Sequence, residues 1–454
     1  MKKYAYFLML ILALSISNSI SAEDAANDKD RLGGWKKIAS EAKAFFYVQE
    51  ISGVWWIVNP AGNAFLSKGV NHISFFADNA PQLGYSPYGR ATQKKYGSEG
   101  AWAKAAADNL WRWNFNTAGA WCSTSMYKQE LPYTPVLDVA SRAGANWQTG
   151  IFPDVFSKKF RMAARAAIQT ACRPQRDNKY LLGYFTDNEL RWGPDWRSPD
   201  ALLMDFLRFD RESDGWNRAV QFLKERYSTI DALNEQWKIK AKSFEEVPAV
   251  ESFPASDARS EAEEAFVKIV AGEYFRVCAE EIRDADPNHL ILGCRFAGKA
   301  SETVLEAMAP YVDIVSFNTY NFTPPAGTLK RIFEITKRPI MITEFSFKAM
   351  DSGLPNTKGA GKPVATQKER AEHFTNFITQ LLQLPFIVGY HWFEYADEPA
   401  EGRFDGENSN YGLVNIKDEP WEILTNEMAR TNLAAEKIHA GLAGGTANID
   451  NANR

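Results

Sequence analysis

The sequence predicts an α/β fold: a (β/α)8 TIM barrel with a long insertion after strand four and a short N-terminal β hairpin. Helical patterns alternate with short apolar runs through the second half of the chain. The runs are nearly continuous in apolar residues, as in a parallel sheet covered by helices on both faces. Eight such runs can be counted, several ending abruptly in polar or acidic residues, and barrels keep their chemistry at strand ends of that kind. A doubly wound open sheet shares this periodicity and is the competing architecture.

VWWIVNPAGNAFLSKGV reads as a hairpin turning at Asn59 to Asn63 and leading into strand one, AFLSKGVN. NFNTAGAW, TPVLDVA and KYLLGYF supply strands two to four, with helices near 99–113 and 155–172 between them. Residues 191–262 form the insertion, including the helical KERYSTIDALNEQW. Phe266, Ile269, Val270, Tyr274, Val277, Cys278 and Ile282 then mark a helix that stops at Asp286-Pro287. HLILGCRF, VDIVSFN, PIMITEF and IVGYHWF complete the set, separated by helices near 303–309, 328–336 and 367–384.

The 454 residues divide into a leader (1–22), a lead-in with the hairpin (23–64), the barrel (65–435) and a small, polar tail (436–454) expected to fray. Lys2 and Lys3, the apolar stretch Tyr4 to Ile16 and the small residues Ser19, Ser21 and Ala22 have the pattern of a secretory signal peptide. Export to the periplasm or the extracellular space is expected. No other apolar run approaches the roughly 20 residues of a membrane helix, so no membrane span is expected. Without the leader, 50 basic residues face 56 acidic ones, a net charge of −6 that argues against nucleic acid as partner.

Cys122, Cys172, Cys278 and Cys294 are too few and too dispersed for a disulfide scaffold, and no CxxC pair occurs. Buried thiols are expected, with a disulfide left open by export. There is no GxSxG or HExxH, and the GAGK at Gly359 follows no strand. With only five histidines, no cofactor and no metal are expected.

The stretch LLGYFTDNEL carries the chemistry. Asn-Glu occurs three times, but Asn234-Glu235 and Asn426-Glu427 lie in helical patterns and read as solvated faces. Asn188-Glu189 instead follows an apolar run and precedes the turn-rich RWGPDWRSP, which puts Glu189 at the end of strand four. Glu344 ends strand seven by the same logic. A carboxylate there costs burial energy unless it is paired or functional. Two carboxylates facing each other across a barrel mouth suit glycosidic-bond cleavage, one as proton donor and the other at the anomeric carbon.

GYFTDNEL and IMITEFSF resemble the strand-four Asn-Glu and strand-seven Glu motifs of retaining glycoside hydrolases of the large (β/α)8 clan, clan A. GYHWFEYADEPAEGRFDGENSNYGLVNIKDEPW is similar to the strand-eight region of the β-agarases of glycoside hydrolase family 50. KERYSTIDALNEQW resembles both those enzymes and the family 42 β-galactosidases. The resemblance implies Glu189 as general acid/base, Glu344 as nucleophile, and Asn188 bonding the sugar 2-hydroxyl. It further implies that Tyr320 orients the nucleophile and that Trp392 floors the sugar subsite. The substrate would be an agar-type polysaccharide or its oligosaccharides. Family 50 agarases usually carry a large β-rich domain before the barrel, whereas residues 23–64 alone precede strand one here, which touches both agar specificity and exo action. A family 42-like β-galactosidase, another β-glycanase and a non-catalytic glycan-binding barrel remain the alternatives.

Asn71, His72, His391 and Glu394 are further candidates for bonding sugar hydroxyls, with structural roles equally open. Trp121, Trp192 and Trp196 are candidate stacking platforms. Asp405 and Glu407 sit in a polar loop that can shape a subsite; their spacing is not that of an EF-hand.

Overall fold

The computed structural model describes residues 28–298 and 300–442. The expected leader lies outside them, and so does the end of the expected tail. Trp35–Ala39 (β1), Tyr47–Ile51 (β2), Val54–Val58 (β3) and Asn63–Phe65 (β4) form an antiparallel sheet in the order β1-β4-β3-β2. The β3–β4 turn is built by Asn59, whose side chain accepts from the Ala61 and Asn63 amides at 3.1 and 3.0 Å. The hairpin thus sits within a four-stranded sheet, in which β1 and β2 carry no strong alternation of their own.

Ser67–Val70 (β5) follows at once and pairs in parallel with Thr117–Ala118 (β6). Gly183–Tyr184 (β7) pairs with Leu290–Ile291 (β8). Phe296–Ala297 (β9), Val315–Asn318 (β10), Ile340–Phe345 (β11) and, after the short parallel pair Phe347–Ala349 (β12) and Lys362–Val364 (β13), Ile387–Trp392 (β14) complete the strands. The main parallel sheet runs β6-β5-β14-β11-β10-β9. Tyr133 bridges in parallel to both Ala118 and Leu181, which sets the TPVLDVA segment between β6 and the chain leading into β7.

Several ladders are shorter than the apolar runs suggest. Pro135 in TPVLDVA has no N–H to donate, and that segment makes isolated bridges only. HLILGCRF is split into β8 and β9 because Gly293 (φ 80°) and Arg295 (φ 50°) are left-handed and turn the chain between them. The insertion is helical at Leu202–Leu207, Asp214–Tyr227 and Ile230–Trp237, and leads to a 29-residue helix, Asp257–Ala285. Among the described residues no helix is long and apolar enough to cross a membrane. All four cysteines are free and buried.

Leu182, Leu292, Ile314, Met341 and Val388, from neighbouring strands, pack with Phe46, Ile57 and Phe65 of the antiparallel sheet. That sheet covers the end where the parallel strands begin, so the opposite ends are left for a site. Lys68 on β5 lies 2.8 Å from Glu436, with both side chains almost fully buried, and Lys29 also contacts Glu436. The last helix, Glu422–Ala440, therefore continues past residue 435, where the tail was expected to start. Removing one partner of a buried ion pair strands the other charge, so Glu436→Gln should cost about 3–5 kcal/mol. Urea unfolding of the variant checks this; a loss below about 1 kcal/mol would show that Lys68, whose pKa burial already lowers to about 7, sheds its proton or reaches water in the folded state.

Candidate active site

Beyond β7 the chain stays paired to the neighbouring strand: the Thr186 amide donates to Gly293 O at 2.9 Å and the Glu189 amide to Arg295 O at 3.1 Å. Glu189 has φ 50°, and its carbonyl accepts from Arg197 of the insertion at 2.8 Å. These contacts fix its side chain at the strand end. Oε1 accepts from Asn318 Nδ2 at 3.0 Å and Oε2 from Trp147 Nε1 at 3.1 Å. Both partners are neutral.

Glu344, at the same end of β11, is 5% exposed. Its Oε1 lies 2.8 Å from Arg295 Nη2, and its Oε2 accepts from the Tyr320 hydroxyl at 2.7 Å. Burial lifts its pKa to about 7, helped by the charge of Glu189; Arg295 and Tyr320 oppose the rise. Arg295 is fully buried, donates also to Thr343 O at 2.9 Å and stands 4.2 Å above the Trp121 ring. Asn318 ties the two halves together. It lies opposite Glu344 in the β10–β11 register, accepts from Thr343 Oγ1 at 2.7 Å, and donates to Glu189 and, at 3.3 Å, to Asn188.

A cavity of about 950 Å³ opens over this pair. Its lining includes Asn188, Glu189, Tyr320, Glu344, His72, Trp121, Trp196 and Glu407. Trp192 is elsewhere: its ring stacks on Phe275, centroids 5.4 Å apart, and packs against Phe152 and Tyr274. Trp392 is fully buried and donates to Tyr411 O at 2.8 Å, while the next residue, Phe393, takes its place on the lining. Asn71 is also buried, bonding Thr343 O at 2.8 Å and the Ala120 amide at 2.9 Å. His391 lies below the cavity, 2.9 Å from Ser67 Oγ; burial and Arg295 lower its pKa to about 3, so the ring is neutral. A Cβ on Gly69 would come within 2.4 Å of that ring, which is why the strand carries glycine there.

The remaining candidates form a charged rim. His72 Nδ1 is 2.5 Å from Glu394 Oε2 and 3.8 Å from Asp78. Although burial opposes its charge, Asp78 and Glu394 raise the His72 pKa to about 9. These three offer ligand atoms within 4.8 Å of one another, yet the imidazolium already fills the cation's place and Arg403 acts on the same carboxylates. The cluster is an ion-pair network. Arg403 also pairs with Asp405 at 2.9 Å and Glu407 at 3.1 Å, which braces the FDGENSN loop.

Arg295, Asn318, Trp147, Phe393 and Phe404 contribute to the cavity or its acids without having been singled out from sequence. Arg295 had a signal: a cation ending the apolar run HLILGCRF, the pattern that picked out both glutamates. Trp147 and Phe404 lie in loops without periodicity.

The family model for glycoside hydrolase family 42, described as β-galactosidase, matches residues 151–366. β-Agarase B of Vibrio sp. (strain JT0107) is 30% identical over 440 residues, covering 91% of this chain and 44% of that protein. β-Agarase A of the same organism is 29% identical, covering 88% and 46%. The chain thus spans less than half the length of these relatives. A crystal structure of an agarase superposes with a TM-score of 0.79 at 26% identity, covering 92% of this chain and 69% of that one. A structure of an exo-β-agarase gives 0.80 at 23% identity, covering 91% and 68%. The chain has an α/β glycoside-hydrolase fold, similar to that of solved agarases.

Proposed function

We propose that the protein is an exported, retaining β-glycoside hydrolase of the agarase-like kind, cleaving β-galactosidic linkages in agar-type galactan or its oligosaccharides. One observation carries the reading: two carboxylates share an aromatic-walled cavity, and their donors are unequal. Glu344 is held by a guanidinium and a phenol, Glu189 by an indole and an amide. The guanidinium and the phenol both favour the charged form of Glu344, the form a nucleophile needs.

On this reading Glu344 attacks the anomeric carbon while Glu189 protonates the departing glycosidic oxygen. A glycosyl ester on Glu344 forms as the leaving sugar departs with that proton. Glu189, now ionised, takes a proton from water, whose oxygen attacks the same carbon and frees Glu344. Asn188 bonds the 2-hydroxyl, and Tyr320 aims the nucleophile. Trp121, Phe393 and Trp196 are the ring platforms, while Trp392, Asn71 and His391 support the floor from beneath. The parallel pairings on either side of β7 and β8 support reading the sheet as a closed (β/α)8 barrel. Agar is favoured over other galactans by the similarity to the two β-agarases. A β-galactosidase is the second reading, favoured by the family 42 match over residues 151–366. The leader pattern supports export.

Product analysis on agarose, porphyran, galactan and β-glucan oligosaccharides tests the assignment. Glu344→Gln should bring hydrolysis to the buffer blank. Glu189→Gln should lose roughly 10²–10⁴-fold on natural linkages and far less on aryl glycosides whose leaving group needs no proton. Equal losses on both would remove Glu189 from the acid role.

Because Glu344 must be ionised to attack, kcat/KM should rise with pH through about 7. Arg295→Met withdraws the cation that favours the carboxylate, so the rising limb should move to higher pH. A pH–rate profile in which that limb stays put would show that Arg295 serves packing alone.

A further inference from the structure

Asp138 occupies an unusual position. It ends the third apolar run, beside the strand that carries Glu189: Leu137 and Val139 donate to Phe185 O and Thr186 O at 2.9 and 3.1 Å. It also precedes the short helix Val139–Arg142, where an aspartate ordinarily turns back to accept the first amides. Here it does not. Its backbone is left-handed, at φ 54°, and its side chain makes no cap hydrogen bond. The amides it would have taken, Ala140 and Ser141, are bonded instead by the carboxylate of Asp187, at 2.9–3.4 Å. Asp187 is itself fixed by the Tyr274 hydroxyl at 2.5 Å. One acid has displaced another from its usual task, and Asp138 is left on the cavity lining.

A carboxylate on the cavity lining that has no protein donor is free to bond a ligand entering there. Among the described residues Asp138 has none; Arg142 and Arg295 act on it through space, while burial raises its pKa above the ordinary carboxylate range. Sugar hydroxyls are suitable donors. A sulfate ester is not, since it brings negative charge to an acceptor that has no cation within bonding distance. Arg403, the guanidinium on the lining, is already shared among Glu398, Asp405 and Glu407.

We infer that Asp138 is a specificity-determining residue: it accepts a hydrogen bond from a hydroxyl of the sugar bound next to Glu189 and turns away a sulfate ester there, so that the cavity selects neutral galactan. This rests on the hydrolase reading above. Charged hydrogen bonds of this kind, and like-charge contacts across a partly dehydrated site, each change affinity by on the order of 10- to 100-fold.

The test compares wild type and Asp138→Asn on neutral agarose oligosaccharides and on sulfated porphyran oligosaccharides, as kcat and KM separately. Asparagine tolerates the left-handed backbone and cannot repel sulfate, so the variant should fold with an unchanged melting temperature. KM for neutral substrate should rise about 10-fold or more with a smaller change in kcat, and the ratio of neutral to sulfated kcat/KM should fall at least as far. Should Asn destabilise the chain, Asp138→Glu keeps the charge and should retain the discrimination against sulfate. An unaltered ratio in an active, folded Asp138→Asn protein overturns the inference and leaves the hydrolase reading intact. If wild type cleaves neither substrate and Glu344→Gln binds neither by calorimetry, the hydrolase reading itself falls, and the role of Asp138 with it.

Discussion

Arg295 is a fully buried guanidinium whose single compensating charge within bonding distance, among the described residues, is Glu344, 2.8 Å away. In a dry interior neither charge is tolerable without the other, since the penalty for an uncompensated buried ion exceeds what a single surface pair ever returns. Much of the mouth of the sheet follows from satisfying this pair. The strand that delivers Arg295 breaks at Gly293 and again at Arg295 itself, both left-handed, which swings the side chain across towards β11. Trp121 lies flat beneath the cation, and Thr343 and Tyr320 bond what remains of its two partners. Asn318 then carries the arrangement over to Glu189, so the two carboxylates are positioned through one continuous set of bonds.

The same economy of donors explains why an apolar strand runs into Thr-Asp-Asn-Glu. The three polar residues after Thr186 take different tasks. Asp187 turns inward to cap the loop after the third run, Asn188 meets Asn318, and Glu189, left-handed, lies between Asn318 and Trp147. None is redundant. Tyr274, from the middle of the 29-residue helix, bonds Asp187 and Thr186 Oγ1 at 2.5 and 2.8 Å, so the packing of the helix that follows the insertion bears directly on the site.

Apolar runs and the acids that end them are written in local sequence, and the structure brings Glu189, Glu344, Asn188 and Tyr320 to one cavity. What local sequence does not carry is which face of a strand end a side chain takes. His391 and Trp392 are adjacent on β14 and both lie beneath the lining, while Phe393, one residue on, reaches it. Trp192 sits near Glu189 in sequence, yet the long helix supplies Phe275 and Tyr274 to receive it, a contact between residues more than eighty positions apart. Ladders are shorter than the apolar runs for a related reason: hydrophobicity reports burial, whereas ladder bonding also needs an N–H, which Pro135 lacks, and extended φ, which Gly293 and Arg295 do not have.

Unequal donors have a consequence for both halves of the proposed reaction. Before attack, the guanidinium and the phenol favour the charged form of Glu344. Once Glu344 is esterified in the proposed reaction its charge is gone, and with it the like charge facing Glu189. Arg295 remains, still buried, and now acts on Glu189 as a through-space cation, a coupling already evident in the free protein. In the proposed reaction the guanidinium that steadies Glu344 in the first step is thus the cation that faces Glu189 in the second. On that reading a single cation serves both phases in turn.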